Sequence, residues 1–340
     1  MEKQDLDDLM HIAERSDMSE EAKKHLLMSI NKLKDTKINI LITGATGCGK
    51  SSTINALFGT EKAKVGQGVN PETMDMNKFE LNNIILWDSP GLGDGKEADR
   101  RHAKNIIDKL YEKDSDGNAL IDLVLVILDG GSRDLGTSYE LINEVIIPNL
   151  GDNKDRLLVA INQCDVAMKG RYWDYENNKP EQKLVDFLEE KVVSTKNRIK
   201  EATGVNVNPI YYSAGYKDGD EEQQPYNLSK LLSFIVQHTK PEKRAVYMQD
   251  INHDKKMWEK DDEIEDYRGQ IQSSLWESVK SAASTGGDIG AEIGSFFGKG
   301  GAAIGRVAGT IIGGAVGGFL SSIFNLQATG MSITAIPGIL

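Results

Sequence analysis

A chain of 340 residues with 39% hydrophobic and 27% charged residues has the length of one domain with additions, or of two domains, and the composition of a soluble globular body. Its formal net charge of −12 offers no general attraction to nucleic acid or anionic lipid, so contact with either needs a local basic patch.

The N-terminal stretch, residues 1–35, reads as a helical extension. Ala22, Leu26, Ile30 and Leu33 fall on one helical face, and Asp17 or Ser19 can cap that helix. The polar, acidic start Met1-Glu2-Lys3-Gln4-Asp5 has no secretory pattern. The two cysteines, Cys48 and Cys164, suggest no structural bridge, and a reduced, cytoplasmic setting is expected.

From residue 36 to about 245, apolar strands alternate with helical patterns. Strands are expected at 38–43, 76–81, 84–88, 122–128, 157–161 and 207–212, and helices at 50–58, 98–111, 137–148, 181–202 and 227–239. The run 123–128 is apolar on both faces, as a buried parallel strand requires. This is the pattern of a doubly wound α/β domain that binds ligands at the carboxyl ends of its strands.

The first strand leads into Gly44-Ala45-Thr46-Gly47-Cys48-Gly49-Lys50-Ser51, with Ser52 following. Two features identify a phosphate-binding loop: the spacing G-x-x-x-x-G-K-S and its place between a strand and a helix. Glycines let the backbone N–H groups turn inward onto phosphate oxygens, and the helix adds its positive end. Lys50 is expected to neutralise the β- and γ-phosphates, and the Ser51 hydroxyl to ligate Mg²⁺. Cys48 is either an acidic thiol, given Lys50 and the helix terminus nearby, or a tolerated variable position.

Later stretches follow in a fixed order. Thr73 lies in a polar loop from which its hydroxyl can complete a Mg²⁺ shell once a γ-phosphate is present, an order–disorder switch. Asp88 ends a strand and can hold Mg²⁺ through water, while the Gly91 N–H can meet the γ-phosphate. Asn162-Gln163-Cys164-Asp165 follows another strand. A carboxylate at 165 accepts from guanine N1–H and N2–H₂ and repels adenine N1. Ser213-Ala214-Gly215 offers a backbone N–H to guanine O6. The five histidines show no metal-ligand spacing, so Mg²⁺ is the one metal expected.

With these motifs the chain resembles the translation-factor-related GTPases, most of all the Era-like branch and its bacterial members labelled ribosome-binding GTPases. The resemblance rests on Gly44–Ser52, Pro71-Glu72-Thr73, Asp88 through Gly95, Asp129 with Arg133, Asn162–Asp165 and Ser213-Ala214. It implies a Ras-like fold with a mostly parallel six-stranded sheet, GTP and GDP binding with Mg²⁺, and slow hydrolysis in which Lys50, Thr73 and Gly91 act at the γ-phosphate. A weaker likeness links residues 49–57 and 87–91 to the interferon-inducible immunity GTPases. Departures carry their own implications. Gln163 replaces a lysine that many relatives have, which implies weaker nucleotide affinity. Gly47 stands where potassium-activated relatives carry Asn, which argues against potassium stimulation. Leu92 stands where Ras-type enzymes place the glutamine that orients water. Turnover of the order of ~10⁻³ s⁻¹ or below is therefore expected unless a partner or second protomer supplies a group. Arg133, Lys64 and Arg101 are candidates for that group, each more simply read as a solvated surface charge.

Residues 246–285 read as an amphipathic helical segment, with Ile264, Tyr267, Ile271, Leu275 and Val279 on one stripe. Between Gly286 and Gly318 there are thirteen glycines, many at every fourth position, each costing about 1 kcal/mol in an exposed helix. Residues 286–326 are therefore expected to form a glycine-zipper helical hairpin that associates with membrane or with its own copies, or a glycine-rich soluble hairpin packed on the body. Residues 327–340 read as a loose tail.

The function expected is a GTP-hydrolysing switch, cytoplasmic with peripheral or integral membrane association through 286–326, and a homodimer or oligomer through the GTPase domain. The alternatives are a ribosome- or RNA-associated GTPase, against which the net charge and the lack of an appended basic domain argue, or an effector built on a GTPase scaffold. Asp165 makes an ATPase the least favoured.

Overall fold

The computed structural model describes residues 10–11, 13–59, 64–65, 76–90, 95–218, 221–283 and 293. The expected glycine-zipper hairpin lies outside them apart from Ile293, as do the expected tail, Thr73, Gly91 and Leu92.

The centre is a seven-stranded sheet: β1 (Ile38–Gly44), β2 (Lys64–Val65), β3 (Asn77–Glu80), β4 (Ile84–Asp88), β5 (Leu123–Asp129), β6 (Leu157–Asn162) and β7 (Ile210–Tyr211), in the spatial order β2-β3-β4-β1-β5-β6-β7. The six expected strands are all present, and the two-residue β2 is added at one edge. β4, β1, β5, β6 and β7 are parallel, while β2–β3 and β3–β4 are antiparallel. Strand order reverses at β1, and a ligand crevice opens at the carboxyl ends of strands flanking such a point.

Alternation along each strand divides the core into two halves. Ile38, Ile40, Ile42, Leu123, Leu125 and Ile127 face one side, under the helices α1 (Glu20–Asp35), α2 (Lys50–Phe58), α3 (Leu228–His238) and α4 (Tyr267–Ala283). Leu41, Val124, Val126, Leu128 and Ile161 face the other, with α5 (Lys96–Tyr111) and α6 (Gln182–Thr203). A helical stretch over Gly136–Asn149 also covers that face. It contains a π-turn, Leu141–Ile146, in which the Ile147 N–H reaches the Ile142 carbonyl. Pro148 follows at once; its ring removes one helical donor and crowds the preceding turn, and the wider turn relieves that crowding.

The flanking segments are welded to this body. α1 buries Ala22, Leu26, Ile30 and Leu33, and of the two candidate caps it is the Ser19 hydroxyl that accepts from the Ala22 N–H. Position 245, where the sequence placed the end of the GTPase domain, falls inside a 3-10 segment, Pro241–Gln249, whose Ala245–Met248 are buried. Beyond it, Asp250 accepts from the backbone N–H groups of Asn82, Asn83 and Ile84 at 2.8–2.9 Å. Asn252 donates from its own backbone to Leu57 at 2.8 Å and from its side chain to Ala56 at 3.0 Å, closing the end of α2. The expected stripe of 246–285 needs one correction. Tyr267, Ile271, Leu275 and Val279 are buried on α4, but Ile264 precedes that helix and is 67% exposed. The turn at Asp261–Asp266, shaped by Asx-type bonds, interrupts the helical phase before Tyr267. Among the described residues, no helix is long and apolar enough to cross a membrane.

Candidate nucleotide site

Five strand ends converge. Register pairs Gly44 with Ile127, Ile42 with Asp88, and Asp129 with Asn162. Gly44, Asp88, Asp129 and Asn162 therefore stand in a row at one edge, with the turn after β7 beside them.

The loop Gly44–Gly49 depends on glycine at its two ends. A Cβ on Gly44 would strike the Ile127 carbonyl, and one on Gly49 (φ +87°) would strike the Asn162 carboxamide. α2 begins at Lys50, and its first-turn N–H groups point toward the loop without helical partners, which makes an anion cradle. Lys50 Nζ donates to the Gly44 and Ala45 carbonyls at 3.1 and 3.3 Å, so the ammonium sits across the loop. Ser51 and Ser52 are exposed at the start of the helix, while Thr53 is fully buried. The Thr53 hydroxyl donates to the Gly49 carbonyl at 2.8 Å and lies 2.7 Å from the Tyr212 hydroxyl, an anchor beneath the loop that no motif announced. Thr46 and Gly47 lie on the loop's outer turn, Gly47 at φ +83°.

Cys48 settles one of the sequence alternatives. Its side chain is fully buried, and burial pushes the thiol up to about 11, with Lys50 only partly opposing. It is not an acidic thiol. Cys164 is also buried and its thiol likewise raised.

Asp88 ends β4. Burial raises its carboxyl to about 6 against the pull of Lys50, and its Oδ1 is buried without a hydrogen-bond partner among the described residues. An ionisable oxygen left so, beside an ammonium and at a strand end, is the chemistry of a group that meets a hydrated divalent cation. Ser51 and Asp88 therefore fit Mg²⁺. Next to Asp88, the Ser89 hydroxyl donates to Thr43 at 2.7 Å and its N–H to the Ile42 carbonyl at 3.0 Å, which fixes the strand end.

The Asn162–Asp165 turn is bonded to the phosphate loop. Asn162 Nδ2 donates to the Cys48 carbonyl at 2.9 Å, and Gln163 Nε2 to the Gly47 carbonyl at 2.9 Å. Gln163 adopts φ +60°, which turns the chain so that Asp165 follows. Asp165 is 7% exposed and its Oδ1 is buried with no partner among the described residues. The Ala214 N–H donates to Asn162 Oδ1 at 3.0 Å. The Gly215 N–H donates to the Ser213 hydroxyl at 3.2 Å, and Ser213 exchanges backbone bonds with Tyr226. Ala214 and the Cys48 carbonyl thus brace the Asn162 carboxamide, because a buried amide needs both its donor and its acceptor used.

Asp129 accepts from the N–H groups of Gly131 and Ser132, and Lys191, on α6, donates to three carbonyls of the same loop. Burial lowers the Lys191 ammonium from its usual value, with Asp129 pulling the other way. Sequence reasoning missed Lys191, although its position on a buried helical stripe was a signal. Arg133 and Arg101 are exposed.

Residues 39–163 match the model of a family described as 50S ribosome-binding GTPase. Interferon-inducible GTPase 1 of Mus musculus is 30% identical over 92 residues, covering 25% of this chain and 22% of that protein. The uncharacterized protein YfjP of Escherichia coli (strain K12) is 30% identical over 149 residues, covering 42% of this chain and 47% of its own. The matched regions thus span less than half the length of these two relatives. A solved structure of a probable GTP-binding protein, engB, has 23% identity and a TM-score of 0.35 over 59% of this chain and 97% of that one. The matched span runs from β1 through the turn that carries Gln163, and over that span the chain is a P-loop GTPase domain.

Proposed function

We propose that the whole chain is a guanine-nucleotide switch that binds GTP and GDP with Mg²⁺ and hydrolyses GTP slowly. The observation that carries this reading is the unpartnered, buried Asp165 carboxylate oxygen on a turn bonded to the phosphate loop by Asn162 and Gln163. A base whose edge presents N1–H and N2–H₂ satisfies that carboxylate. An adenine edge presents an acceptor and is repelled.

In this mechanism the N–H groups of Gly44–Ser51 hold the phosphates, and Lys50 leaves the Gly44 and Ala45 carbonyls to neutralise the β- and γ-oxygens. Ser51, Asp88 and Thr73 would hold Mg²⁺, which when bound neutralises charge on the β- and γ-phosphates. Thr73 and the Gly91 N–H sense the γ-phosphate and release it after hydrolysis, which is the switch. Leu92 can neither orient nor deprotonate water, so intrinsic turnover is slow. Arg133, Arg101 or Lys64 from a second protomer is the group that would accelerate it.

Calorimetry of the parent and of Lys50→Ala with GTP and with ATP tests the core of this reading. Heat with GTP in the parent, lost in Lys50→Ala and absent with ATP, is expected; no heat with GTP in the parent overturns it. For residues 286–326 the reading is membrane association or self-association, supported by the spacing of small residues. Flotation with liposomes, with and without truncation after Thr285, and turnover measured against protein concentration test the two arms. Material that stays soluble at a rate per molecule independent of concentration overturns both.

A further inference from the structure

Lys191 is half-buried on the inner stripe of its helix. α6 buries Leu184, Leu188, Thr195 and Ile199, and residue 191 falls on the same stripe between Leu188 and Thr195. A charge on a buried face is retained when its donors are used. Those of Lys191 go to one loop. Its Nζ donates to the carbonyl oxygens of Asp129 at 3.2 Å, Gly130 at 2.7 Å and Ser132 at 2.7 Å. An ammonium has three donors, so the set is complete.

That loop is the wall behind the Asn162–Asp165 turn. The Gly130 N–H donates to the Asn162 carbonyl at 2.7 Å. A Cβ on Gly130 would lie 2.5 Å from that carbonyl and 3.0 Å from the Gln163 carbonyl, and one on Gly131 would lie 3.4 Å from the Val166 side chain. The loop therefore abuts the chain on both sides of Asp165. Asp129 closes it from within through Gly131 and Ser132, and Lys191 gathers its carbonyls from outside.

We propose that Lys191 is a positioning residue for recognition of the base: through the 129–132 loop it sets where the Asp165 carboxylate stands. This rests on the guanine reading of the site. Without the ammonium, three converging carbonyls lose their common donor and repel one another. The loop spreads, and the turn carrying Asp165 loses its backing. Two-pronged acceptance from N1–H and N2–H₂ depends on that placement, whereas the phosphate grip of Gly44–Ser51 does not. The loss should therefore fall on the base and spare the phosphates.

The test compares GTP with inosine triphosphate, which lacks the N2 amino group, in the full chain. Variants are Lys191→Met and, as a control on the same helix, Lys196→Met, whose ammonium donates to the exposed Asn208 side chain at 3.0 Å. In the parent, GTP binds more tightly than inosine triphosphate. Lys191→Met should lose roughly ten- to a hundredfold in GTP affinity, the scale of hydrogen bonds to a charged group, while inosine triphosphate changes far less, so the ratio collapses. Lys196→Met should keep the parental ratio. A parental ratio in Lys191→Met, or an equal fall for both nucleotides, overturns the inference. Should Lys191→Met fail to fold, Lys191→Gln decides: its ratio must drop, and a parental ratio overturns the inference. A parent that binds neither nucleotide instead overturns the guanine reading.

Discussion

The Asn162 carboxamide donates to the Cys48 carbonyl at 2.9 Å and accepts from the Ala214 N–H at 3.0 Å. One side chain thus ties the Gly44–Gly49 loop to the turns at 162–165 and 213–215. Asn162 is 1% exposed, so neither bond has a water substitute close by. Asn162→Ala leaves a buried carbonyl and a buried N–H unpaired. The expected loss is about 1–3 kcal/mol in urea unfolding, together with weaker GTP binding by calorimetry. Unchanged values for both would remove Asn162 from its bracing role.

Asp165→Asn tests the base directly. An asparagine oxygen still accepts from N1–H, but its NH₂ faces the guanine amino group, donor against donor. Xanthine carries a carbonyl at that position and fits. Competition against a fluorescent guanine nucleotide should show xanthosine triphosphate overtaking GTP, by about tenfold or more on the scale of one lost charged hydrogen bond. A variant that still prefers GTP contradicts the assignment.

Asp88 gives the nucleotide-free protein a pH dependence. Its carboxyl stands at about 6 in the folded chain against 3.8 for the free group. The folded state therefore holds this proton more tightly than the unfolded chain. Its contribution to stability is fully present below about pH 4 and is lost as pH rises through about 6, a difference of up to about 3 kcal/mol. Asp88→Asn carries no such charge. At pH 7, without nucleotide or Mg²⁺, it should melt higher than the parent, and the gap should close toward pH 4. A constant gap across that window would exclude Asp88 as the titrating group.

Asp250 holds the β3–β4 turn through the N–H groups of Asn82, Asn83 and Ile84, while burial still raises its carboxyl above the usual value. Asp250→Ala strands three donors, two of them on the buried residues Asn83 and Ile84. A loss of about 2–4 kcal/mol in denaturant unfolding is expected, with the hairpin amides exchanging faster by hydrogen exchange. A loss under about 0.5 kcal/mol, the level of an ordinary surface substitution, would show that the clasp contributes nothing.

The strands and helices were readable because period and punctuation in the chain are local signals. Ile38–Ile42 before a glycine loop, or Leu184, Leu188, Thr195 and Ile199 at helical spacing, need no knowledge of what lies across the fold. The stripe that included Ile264 failed because periodicity continues in the letters across the Asp261–Asp266 turn, where the backbone does not. The bonding of the Ser213–Gly215 turn was not legible for a related reason: a motif names residues, but the Ala214 N–H goes to a buried acceptor far off in the chain, Asn162.

By itself the amino-acid order determined the phosphate loop, the carboxylate of Asp165 and the alternating architecture that brings strand ends together, since each is written in neighbouring residues. Only the tertiary structure decided that Asn162 and Gln163 are bonded to the loop, that the thiol of Cys48 is raised by burial, and that Lys191 gathers the carbonyls of Asp129, Gly130 and Ser132. Those relationships join residues far apart in the chain, and desolvation and hydrogen-bond satisfaction act on distances in space, which no spacing along a sequence encodes.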